Sequence, residues 1–68
     1  MTNKADQIAQ IHESLINGQR RQMVEQIDEF GSEFWAYYRE HLKALYSDTR
    51  ALEFLSDAII SYHRIKAR

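Results

Sequence analysis

Residues 27–38 read Ile27-Asp28-Glu29-Phe30-Gly31-Ser32-Glu33-Phe34-Trp35-Ala36-Tyr37-Tyr38, and they decide the fold. Met23, Ile27 and Phe30 keep the three-and-four spacing of one helix face up to Gly31. A second helical series starts at Phe34, behind a cap former at Ser32 and a carboxylate at Glu33 that favours a helix dipole. One helix therefore ends, a tight glycine break comes next, and another helix begins. The run Phe34–Tyr38 is the longest uninterrupted apolar stretch, far short of the ~20 residues of a membrane span.

Working outward, the same pattern repeats. Helix one is expected over about 3–16, capped by Thr2 or Asn3, with Ile8, Ile11 and Leu15 on one face and Ala5 and His12 beside them. Asn17-Gly18 stops it, and either residue would open helix two, over about 19–30. Helix two carries Met23, Val24, Ile27 and Phe30 inward and Arg21, Glu25 and Asp28 outward. Helix three, about 33–46, gathers Phe34, Trp35, Tyr38, Leu42, Leu45 and Tyr46 within roughly 120° of arc. Ser47-Asp48-Thr49 forms the last junction. Helix four, about 48–66, has a main stripe of Leu52, Leu55, Ile59 and Tyr62, widened by Phe54, Ala58 and Ile65 to roughly 160°. Ile60 falls on its charged side. No proline and no period-two segment interrupts this reading. The expectation is an all-α, compact bundle of four short amphipathic helices in a single domain, residues 1–68.

A chain of 68 residues and 8.1 kDa has a small core, and no cysteine is present to staple it. Helix four bears more apolar surface than a single neighbour can cover. A homodimer is the expected remedy, and a tight complex with a larger partner is the other way to supply the missing area. Nine basic against ten acidic side chains give a net charge of −1, so global charge selects no partner. The charge is uneven, however. Residues 1–33 carry three basic and six acidic groups, and residues 34–68 carry six basic and four acidic ones. Residues 1–10 have no apolar signal region, and the absence of cysteine suits a reducing compartment, so a soluble, intracellular protein is expected.

Catalytic machinery is not legible. His12, His41 and His63 are too widely spaced for a metal motif, and two glycines thirteen residues apart make no phosphate loop. No serine sits in a nucleophile elbow, and the carboxylates Glu25, Asp28, Glu29 and Glu33 read as a solvated face rather than an acid–base pair. The sequence predicts no catalytic residue, no metal and no cofactor, hence no enzyme.

It predicts a binding surface instead. Tyr37, His41, Phe54 and Ile60 fall outside a minimal four-helix seam, and aromatic side chains at an accessible rim are favoured interface anchors. Glu25, Asp28 and Glu29 would add an acidic patch for a basic partner protein. The alternative is a small dimeric DNA-binding regulator or antitoxin, with Arg20, Arg21, Arg64, Lys66 and Arg68 on phosphates. Helices one and two have helix-turn-helix proportions. The second would nevertheless offer Arg21, Glu25 and Asp28 to the groove, and the two carboxylates repel phosphates.

The stretch Ile16-Asn17-Gly18-Gln19-Arg20-Arg21-Gln22-Met23-Val24-Glu25-Gln26-Ile27 resembles a segment of small phage- and plasmid-borne helical accessory proteins. In these an apolar helix end, an Asn-Gly break and a Gln/Arg-rich helix start recur, and Phe-Trp-x-Tyr-Tyr is similar to the next stretch in some of them. The resemblance covers about a dozen of the 68 residues. It implies an accessory protein of a mobile element in a bacterial cytoplasm, of the anti-defence type that includes anti-CRISPR proteins. Such proteins inhibit a defence effector by occluding a surface. The chain lacks the strong acidity of DNA-mimicking inhibitors, and the resemblance assigns no functional residue.

Overall fold

A computed structural model describes residues 3–68. Four helices succeed one another: α1 (Lys4–Ile16), α2 (Arg20–Phe30), α3 (Phe34–Leu45) and α4 (Asp48–Lys66), with no strand among the described residues. α1 packs chiefly on α2 and α3, and α4 closes the bundle against the same two helices. The radius of gyration, 11.2 Å, matches the roughly 11 Å expected of a compact chain of this length.

The ends of the helices have local causes. Asn3 caps α1, its side chain accepting from the Asp6 N–H at 2.8 Å, while Thr2 lies outside the described residues. At the other end Gly18, at φ 76°, donates to the Leu15 carbonyl and Gln19 donates to that of Ser14. This is a Schellman closure, and it requires the left-handed backbone that glycine adopts without strain. Neither Asn17 nor Gly18 opens α2, because both are used in ending α1. Gln19 stands at that position and gives no side-chain cap. Gly31, at φ 107°, ends α2. Ser32 does not cap α3 as expected. Glu33 occupies the N-cap, already helical in backbone and with no side-chain cap bond, and its carboxylate reaches Lys4 at 3.5 Å. Ser47 does cap α4, accepting from the Arg50 N–H.

The core keeps to the expected faces of α1, α2 and most of α3. Ile8, Ile11, Leu15, Met23, Val24, Ile27, Phe34, Tyr38 and Leu42 are buried. Two expectations fail. Leu45, at the last turn of α3, is 59% exposed, and Tyr46 after it turns inward instead. In α4 the buried residues are Ala51, Ala58 and Ser61, with Phe54, Leu55, Tyr62 and Ile65 half-buried. Leu52 and Ile59, expected at the centre of its stripe, point out at 64% and 37% exposure. The helix is rotated so that its small side chains meet α2 and α3. Small residues there let the helix axes approach closely, which large ones prevent.

Candidate interaction surfaces

The rotation of α4 creates an outward apolar row. Asp48, Leu52, Leu55, Ile59 and Lys66 fall within roughly 60° of arc at 100° per residue. Beside the row, a groove between α3 and α4 is lined by Arg39, Leu42, Lys43, Asp48, Leu52 and Leu55. The surface is thus a strip of branched aliphatics with cationic side chains along one edge and a carboxylate at one end.

The predicted contacts do not form one patch. Tyr37 is exposed and packs edge-on to Phe30, with the Lys4 ammonium 5.1 Å over its ring. Glu25 and Glu29 are exposed on the neighbouring α2. Asp28 is engaged: it accepts from the Tyr62 hydroxyl at 2.7 Å and from Lys66 at 2.8 Å, which holds its carboxyl below the usual range. Ile60 is exposed, but about 100° around α4 from the apolar row, on another groove. His41 is half-buried, its ring 5.7 Å from His12. Phe54 does not point outward. It is half-buried, set edge-on to His12 and tilted against Tyr46, each at 4.9 Å between ring centres.

Those last two residues belong to a polar knot that the sequence did not disclose. His12 is 4% exposed, with Nδ1 2.8 Å from the Tyr38 hydroxyl and Nε2 2.9 Å from that of Tyr46. A neutral imidazole donates to one hydroxyl and accepts from the other, so α1 is tied to the middle of α3 and to its C-terminal cap. Burial, and secondarily His41, push the His12 pKa below its ordinary value, and burial alone does so for His41. Burial pushes the Tyr38 hydroxyl upward, so it stays protonated. No buried side-chain nitrogen or oxygen among the described residues lacks a partner. His12 and Tyr38 are buried in the knot, and His41, Tyr46 and Phe54 are half-buried around them. Among the described residues no three His, Cys, Asp or Glu side chains come together as a metal site.

The basic residues do converge. Arg20, Arg21, Arg64 and Arg68 line one open groove between the start of α2 and the last turns of α4, with Gln19, Gln22, Ile60 and Ile65. Arg20 is fixed: Nε donates to Ser61 Oγ at 3.1 Å, and Nη2 pairs with Asp57 at 3.3 Å. Among the described residues Arg21, Arg64 and Arg68 take no ion pair. Lys66 is not part of this groove, being held by Asp28 on another face.

No family model, curated protein or solved structure matches the chain. No helix of the described residues is long and apolar enough to cross a membrane.

Proposed function

We propose that the chain is a non-enzymatic protein-binding module. The observation that supports this reading is the aliphatic row in which Leu52 and Ile59 are left in solvent and Leu55 is half-buried between them, while alanines are buried on the inner face of the same helix. Such a row costs solubility unless it is covered. A second copy is the occupant its pattern of side chains favours. Antiparallel pairing of α4 that sets Leu52 against Ile59 of the other copy also brings Asp48 opposite His63 and opposes the two helix dipoles.

In that homodimer Tyr37, Glu25 and Glu29 stay accessible to a further protein. The resemblance at residues 16–27 directs that role toward inhibition of a bacterial defence effector by occlusion. Light scattering at about 100 µM is expected to give twice the chain mass, and Leu52→Asp to return it to one, because a buried unpaired charge disfavours association. The purified dimer is expected to suppress a defence nuclease stoichiometrically rather than catalytically, with Tyr37→Ala weakening the effect. A wild-type monomer at that concentration would overturn the pairing. Failure to form a stoichiometric complex with any defence effector tested would overturn the inhibitory role.

A further inference from the structure

The arginine groove answers to a different chemistry. Six arginines occur in the chain, and four of them line this one groove, although the α2 pair and the α4 pair lie far apart in sequence. On α4, Asp57, Ile60, Ser61 and Arg64 share a face through spacings of three, four and seven, and Arg68, just past the helix end, lines the same groove. The packing of α2 on α4 adds Arg20 and Arg21 opposite them. One carboxylate, Asp57, faces the four guanidiniums, and it is spent on Arg20, which Ser61 also holds. Ser61 is itself buried, so Arg20 is braced from below and the other three charges are left for a ligand.

Every cation here is an arginine. The planar guanidinium fork matches two phosphate oxygens at once and gives up water more readily than an ammonium does. From Asp57 to Arg64 the groove runs along roughly 10 Å of helix at ~1.5 Å per residue, and Arg68 extends it past the helix end, long enough for a few consecutive phosphates of one strand. Ile60 and Ile65 give it an apolar floor suited to sugar faces, and Gln19 and Gln22 add neutral donors at its edge. Gly18 at its mouth has no side chain to obstruct entry, and a Cβ built there would meet only the tip of Arg20, at 4.0 Å.

We infer that this groove binds the phosphodiester backbone of a nucleic acid through Arg20, Arg21, Arg64 and Arg68, without reading bases. The carboxylates Glu25 and Asp28 lie further along α2, so the helix does not lie along a major groove. Contact is made end-on at its first turn, which is consistent with sequence-independent binding.

The test is fluorescence anisotropy of the full chain with a labelled single strand and a labelled duplex of about 20 nucleotides, at about 50 and about 200 mM salt. Binding of either probe with a log–log salt slope of roughly −2 to −4 is expected, and the stronger arm identifies the source of the phosphates. Arg64→Ala with Arg68→Ala is expected to weaken binding about tenfold or more and to flatten the slope by about 2. Lys4→Ala with Arg50→Ala removes the same charge from exposed positions outside the groove and is expected to change binding less than about threefold. Circular dichroism melts confirm that both exposed double variants fold. The inference is overturned if neither probe binds at the lower salt, or if the two double variants weaken binding equally. It is also overturned if polyglutamate of similar length competes as well as unlabelled nucleic acid, which would make the ligand an acidic protein.

Discussion

The two faces of α4 invert the usual order of side-chain size. The buried positions of the inner face are Ala51, Ala58 and Ser61, with Phe54, Tyr62 and Ile65 half-buried around them, and the outer face shows Leu52 and Ile59 with Leu55 at the margin. Burial in this helix is governed by how near its axis must come to α2 and α3, and hydrophobicity alone does not decide it. The inner face is a constraint on shape. The outer face is apolar surface the monomer does not use.

The comparison can be broken from the inside first. Ala58 is fully buried, so Ala58→Leu must force the helices apart and is expected to cost about 1–3 kcal/mol, read by chemical denaturation. Next comes the knot on which the bundle's other half depends. His12→Phe leaves the Tyr38 and Tyr46 hydroxyls without their partner, and a loss of about 1–2 kcal/mol is expected.

The same variant isolates a pH effect. The folded His12 and His41 are depressed below the unfolded value of 6.5, so as pH falls the unfolded chain takes up protons first. The stability held by the neutral imidazoles is full above that value and is lost as pH falls toward the folded ones. The melting temperature of the wild type is therefore expected to drop between about pH 7 and about pH 5, and His12→Phe to show a shallower drop. The smallest effect belongs to the outer face. Leu52→Ala removes three carbons yet is expected to change the denaturation free energy of the dilute chain by less than about 0.5 kcal/mol. Adding carbons at residue 58 should thus cost more than deleting them at residue 52.

The four helices were legible because their apolar spacing and the two glycine breaks are local signals. Both glycines take positive φ where a helix ends. The rotation of α4 was not legible. A stripe drawn through the largest apolar residues passes through Leu52 and Ile59, and only the proximity of α2 and α3 makes Ala58 the better inner residue. Leu45 keeps the right angle on α3, but the place facing α1 at that end is taken by Tyr46, which bonds to His12. Phe54 and His41 read as rim residues because nothing in the sequence reveals that His12, 26 or more positions from its partners, sits between Tyr38, Tyr46 and Phe54. The arginines were legible as individual cations. Their convergence, and the diversion of Lys66 to Asp28, depend on how α2 crosses α4.

Trp35 offers a practical consequence. It is the only tryptophan, half-buried on α3, packed against Phe34 at 4.8 Å and edge-on to Tyr62 of α4 at 5.8 Å. Its indole is therefore a built-in optical gauge of whether the last helix is seated. Undocking that helix wets the ring and shifts its emission to longer wavelength even while α1 and α2 remain coiled. Paired with far-ultraviolet dichroism, one native chromophore separates departure of the final segment from melting of the whole.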